Sequence, residues 1–117
     1  MFILTLAAHH VPAMANNTIT VVGDSLSAEY GITRGTGWIE IIRKNYLYSA
    51  YPDYQVHNAS ISGDTTSGGL SRLPALLAQQ PVKIALIELG SNDALRGLSL
   101  EQSRQNLEKM RDLVHDQ

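Results

Sequence analysis

The 117-residue chain contains no cysteine, which excludes disulfides, thiolate chemistry and cysteine-ligated zinc, and leaves oxidising and reducing compartments equally open. Charge is also scarce. With 17% charged residues and a net charge of −2 there is no basic stripe, so binding to nucleic acid has no electrostatic support. No apolar run is long enough to cross a bilayer, which argues against stable membrane insertion. Internal repeats, low-complexity tracts and linkers are missing as well. What is present is ordinary for a folded protein: 44% hydrophobic residues argue against disorder, and the length allows one hydrophobic core but not two.

Residues 1–15 stand apart, with no Lys, Arg, Asp or Glu among them. Phe2-Ile3-Leu4-Thr5-Leu6-Ala7-Ala8 is an apolar run, and Ala13-Met14-Ala15 has the small-x-small pattern of a signal-peptidase site before the polar Asn16-Asn17. The positively charged start of such a leader is missing. The segment is read as a signal-peptide remnant, with residues 16–117 as the mature part and export to the periplasm or medium expected.

From Asn16 onward strand and helix patterns alternate. Ile19-Thr20-Val21-Val22 is a β-branched run ending at Gly23, as a buried strand would. After Gly35-Thr36-Gly37, the residues Trp38, Ile41 and Ile42 fall on one face of a helix. Pro52 separates that helix from a second strand over residues 54–59. A Gly/Ser/Thr-rich loop over residues 60–69 leads to Leu70, Leu73, Leu76 and Leu77 at helical spacing, with Pro74 starting or kinking the helix. Residues 82–89 are the most apolar run, which suggests a central strand covered on both faces. Ser99-Leu100-Glu101-Gln102 has the form of a capping box, and Leu100, Leu107, Met110 and Val114 continue one apolar face to the end. This β-α-β-α-β-α order predicts an α/β fold: a parallel sheet with right-handed crossovers and helices on both sides.

In open α/β sheets, ligands bind beyond the carboxyl ends of the strands. Three polar clusters sit there: Gly23-Asp24-Ser25-Leu26-Ser27, Ser60-Ile61-Ser62-Gly63-Asp64-Thr65-Thr66 and Gly90-Ser91-Asn92-Asp93. A common sheet edge would bring them together. Singly, each is weak, since Gly, Asp, Asn and Ser are common turn and cap residues. Together and in this order, from about Ile19 to the last residue, they resemble the GDSL or SGNH hydrolases, in particular the bacterial periplasmic thioesterase, esterase and lysophospholipase type.

The resemblance implies a three-layer α/β/α flavodoxin-like sheet, here its first half with three strands and three helices. It also implies Ser25 as the nucleophile, and Ser25, Gly63 and Asn92 as the oxyanion hole. Acyl transfer needs residues of these types: a nucleophile, and donors aimed at the oxygen that becomes negative. The implied reaction is hydrolysis of small-molecule acyl esters, acyl-CoA thioesters or lysophospholipids through an acyl-serine, with no metal or organic cofactor. Two other readings stand beside it. One is an acyl- or lipid-binding remnant without turnover. The other is a phosphate or metal site at Asp24, disfavoured because no glycine-rich phosphate loop follows the first strand and no second carboxylate follows within four residues.

The family's base is the His of an Asp-x-x-His block near its C-terminus. Asp112-Leu113-Val114-His115 matches in letters, but the helix runs back from the catalytic edge. At about 1.5 Å per residue it places His115 roughly 25 Å from Ser25, whereas a base must reach about 3 Å, directly or through one water. His57, near the end of the second strand, is read as a partly exposed strand-end residue. Two further strand-helix units carrying the genuine block are expected downstream of Gln117, so the hydrolase site is read as incomplete in this chain.

Overall fold

The computed structural model describes residues 17–117; the leader assigned to residues 1–15 lies outside them. Three strands, β1 (Thr18–Gly23), β2 (Gln55–Asn58) and β3 (Ile84–Glu88), form one sheet in the order β2-β1-β3. Both pairings are parallel: Ile19 lies opposite Val56 on one side and Ile84 on the other, and Val21 opposite Asn58 and Leu86. The alternation of side chains along a strand then divides the sheet into two faces.

On one face Ile19, Val21, Val56 and Leu86 meet Trp38, Ile39, Ile42 and Leu47 across a narrow apolar cleft. These belong to α1 (Trp38–Ile42), which continues through a π-helical turn (Arg43–Leu47) into a last short turn (Tyr48–Ala50). The residue that α1 buries is Ile39, while Ile41 is 49% exposed. The spacing points instead to Trp38, Ile41 and Ile42, and the helix is rotated from that expectation to seat Ile39 on the sheet.

On the opposite face Val22 packs with Leu73 of α2 (Thr66–Gln79) and Met110 of α4 (Leu100–His115), ringed by Leu70, Leu77, Ile87, Leu89 and Leu107. Close approach here depends on Gly69, where a Cβ would lie 2.3 Å from Leu89 Cδ1. The helix α2 begins well before Pro74, inside the segment expected to be loop. Thr65 caps it by accepting from the Gly68 N–H at 3.1 Å. At α4 the Ser99 hydroxyl accepts from the Gln102 N–H at 3.2 Å. The reciprocal half of the capping box is not made, because the Gln102 side chain bonds Asn106 instead.

Helices on both faces of a parallel sheet make the expected three-layer α/β/α arrangement. β1 lies between the other two strands, with Val21 and Val22 buried, and among the described residues β3 pairs with β1 alone, leaving Ile84 and Leu86 42% and 39% exposed. Among the described residues no helix is long and apolar enough to cross a membrane.

Candidate active site

Directly after β1 the chain turns back on itself. The Ser27 and Ala28 N–H groups donate to the Asp24 carbonyl at 3.1 and 2.9 Å, which presents Ser25 at the top of the turn. Ser25 is half-buried, and its hydroxyl has no hydrogen-bond partner among the described residues. Asp24 is buried at 1% exposure. Its Oδ1 accepts from the Leu26 N–H at 3.0 Å, and its Oδ2 from Ser91 Oγ at 3.0 Å and Asn92 Nδ2 at 3.3 Å. The loop beyond is organised by Glu29, whose Oε2 accepts the N–H groups of Gly37 at 2.8 Å and Gly35 at 2.9 Å. Those N–H groups hold its carboxyl below the ordinary range.

The second cluster is stitched to the first by Ile61 N–H donating to the Gly23 carbonyl at 3.0 Å. Gly63 has a φ of +82°, the left-handed region where a side chain is strained. Its carbonyl accepts from Arg96 Nη2 at 2.7 Å. Arg72 of α2 reaches in from the side, pairing with Asp64 at 2.9 Å and donating to the Ala59 carbonyl.

Gly90 opens the third cluster with a φ of +130°, and the chain then forms a short helix, α3 (Ser91–Leu95). Asn92 stands at the meeting point. Its Nδ2 is 2.9 Å from the Asp64 carbonyl and 3.3 Å from Asp24 Oδ2, so one side chain touches all three clusters. The structure therefore brings Ser25, Gly63 and Asn92 to one edge of the sheet, as the strand-end rule requires.

The sequence profile of the GDSL-like Lipase/Acylhydrolase family matches residues 21–117. The chain belongs to that family. Esterase TesA of Pseudomonas aeruginosa is 51% identical over 96 residues, covering 82% of this chain and 47% of that protein. The thioesterase 1/protease 1/lysophospholipase L1 of Escherichia coli is 42% identical over 98 residues, covering 84% and 45%. The crystal structure of TesA superimposes with a TM-score of 0.81 at 48% identity, over 85% of this chain and 54% of that one. The chain spans about half the length of the curated relatives it matches.

Around this GDSL segment the structure adds carboxylates that local spacing could not reveal. No second carboxylate follows Asp24 closely in sequence, yet Glu88 Oε1 accepts the Asp24 N–H at 3.3 Å and the Ser27 hydroxyl at 2.7 Å. Burial pushes the Glu88 carboxyl up, and the neighbouring Asp24 carboxylate adds to the effect. The one signal in the sequence is an acidic residue ending an otherwise apolar strand. Among the described residues no cluster of three or more His, Asp or Glu is placed to hold a metal ion.

The two histidines among the described residues lie elsewhere. His57 pairs with Thr20 in mid-sheet, and its Nδ1 is 3.0 Å from Gln80 Nε2, beyond the C-terminus of α2. His115 is exposed at the end of α4. Just past it, Gln117 donates to the Val82 carbonyl at 2.6 Å, at the edge of the sheet where β3 begins. A strand length separates that edge from Ser25.

Proposed function

We propose that this chain carries the nucleophile and the oxyanion donors of a serine hydrolase of carboxylic esters and thioesters, with Ser25 as nucleophile. The observation that carries the reading is the meeting of the three clusters on Asn92, with hydrogen-bonding capacity left over beside it. The N–H groups of Ser25 and Gly63 have no hydrogen-bond partner among the described residues. Both residues are half-buried, so these N–H groups stay open to a ligand, and two such donors at the sheet edge that carries Ser25 suit an oxygen that becomes negative only during reaction.

In this mechanism Ser25 Oγ bonds to the carbonyl carbon and its proton passes to a base. The Ser25 and Gly63 N–H groups and the Asn92 amide stabilise the oxyanion. The alcohol or thiol departs, and water then cleaves the acyl-serine. Asn92 joins by exchanging its longer contact, 3.3 Å to Asp24 Oδ2, for the substrate oxygen. The base lies outside the described residues or is reached through solvent, because neither His57 nor His115 stands at this edge. The relatives' names point to small acyl esters, thioesters and lysophospholipids as the substrates to test first.

The position of those two histidines favours a second reading, an acyl-binding site without turnover. Turnover of an activated short acyl ester separates the two. The hydrolase reading expects release of the chromogen and an acyl adduct on the peptide containing Ser25, found by mass after a rapid acid quench. An adduct on another residue would overturn the assignment. Asn92→Ala is expected to slow turnover about 100- to 1,000-fold, the usual cost of one oxyanion donor, and an unchanged rate would remove Asn92 from the site.

A further inference from the structure

Glu88 ends β3 opposite Gly23, and its side chain folds over that glycine: a Cβ at residue 23 would lie 2.8 Å from Glu88 Oε1 and 2.8 Å from Ser27 Oγ. Oε1 takes two donors from the turn that carries Ser25. One is the Asp24 N–H at 3.3 Å, immediately before Ser25, and the other is the Ser27 hydroxyl at 2.7 Å, just after it. The Ser27 hydroxyl accepts the Trp38 indole N–H at 3.2 Å, which leaves its single proton for Glu88. Ser27 is 2% exposed, so neither contact is a solvent-facing accident. An apolar residue of similar size would avoid the penalty of burying a carboxylate, but would leave both donors without an acceptor.

We propose that Glu88 is a positioning residue for Ser25, its Oε1 atom holding the two ends of the Ser25 turn together and so fixing where the serine hydroxyl points. The catalytic consequence rests on the assignment of Ser25 as nucleophile; the structural consequence rests on the geometry alone. Gln at residue 88 keeps an oxygen acceptor in the same place, and Ala removes it. This contrast separates acceptor geometry from mere bulk.

The test compares the whole chain with Glu88→Gln and Glu88→Ala, reading amide hydrogen exchange and ester hydrolysis. In Glu88→Ala the Ser27 and Ala28 amides, which close the turn on the Asp24 carbonyl, are expected to lose roughly tenfold or more of their protection as the turn opens locally. The Leu73 amide within α2 reports global stability and is expected to hold. Turnover is expected to fall roughly 10- to 100-fold in kcat, the scale of a misplaced reacting group, with KM little changed. Glu88→Gln should recover most of both. If Glu88→Ala does not fold, Ser27→Ala removes one of the two donors and should show the same local loss at Ala28, weaker in size. Protection at Ser27 and Ala28 that follows Leu73 in every variant, or a Gln variant as open as Ala, would overturn the proposal. A wild-type chain without turnover but with this exchange pattern would remove turnover by this chain alone and leave the positioning role standing.

Discussion

Ser25→Ala is expected to bring hydrolysis of a short chromogenic acyl ester down to the rate of the ester in buffer, a loss of more than about 1,000-fold. The substitution isolates the nucleophile. Alanine keeps the backbone N–H at residue 25, so that oxyanion donor survives, as do Gly63 and Asn92. It also disturbs the fold little, because the hydroxyl it removes has no partner among the described residues and no buried donor is orphaned. A circular-dichroism melt matching that of the unsubstituted chain would confirm this and exclude unfolding as the cause of lost activity. Equal turnover in both proteins would sink the serine assignment, since donors without a nucleophile can only assist water. A folded chain inactive in both forms would favour acyl binding without turnover, and a fluorescent fatty-acid titration would then be the measurement to make.

The sheet edge that gathers these residues is legible in the amino-acid sequence. Strand patterns ending in Gly23, Ala59 and Gly90 place three polar clusters on one side of a parallel sheet, and the hydrogen bonds of Asn92 to Asp24 and Asp64 complete the convergence. The cap at Ser99 is legible too, because an N-cap is a local motif whose acceptor and donor lie three residues apart. What stays hidden depends on distant partners. Glu88 meets Ser27 across a separation of 61 residues, and no periodicity reports that. The start of α2 is obscured because Gly68 and Gly69 look like loop residues. Both are small for packing reasons: a Cβ at Gly68 would strike Asp64 and one at Gly69 would strike Leu89.

Asp93 reads as a turn residue next to Asn92, yet its burial at 3% exposure leads to the largest expected stability effect in the chain. Its Oδ1 accepts the Thr66 N–H at 2.9 Å, and its Oδ2 accepts the hydroxyls of Thr66 at 2.5 Å and Ser103 at 2.7 Å. Asn106 completes the network by donating to Thr66 Oγ1 at 3.0 Å. The carboxylate thus ties the first turns of α2 and α4 to α3, directly behind Asn92. Burial by itself would push its carboxyl up, but the hydrogen bonds from Ser103 and Thr66 outweigh it and hold the group below the ordinary carboxylate range. Asp93→Ala leaves those donors buried without an acceptor and is expected to cost about 3–5 kcal/mol of unfolding free energy, measured by urea titration. Because the folded pKa is depressed, the stabilisation is fully present above the unfolded pKa and is lost as pH falls through the folded one. Asp93→Asn keeps one acceptor oxygen and cannot titrate, so its stability should lie between those of Ala and Asp, with a flatter acid limb below pH ~4. If Asp93→Ala unfolds at the same urea concentration as the unsubstituted chain, the network is not what joins the three helices. An acid limb unchanged by Asp93→Asn would show that the carboxylate is not ionised in the folded protein, and the hydrogen bonds would then have to be redrawn around a neutral acid.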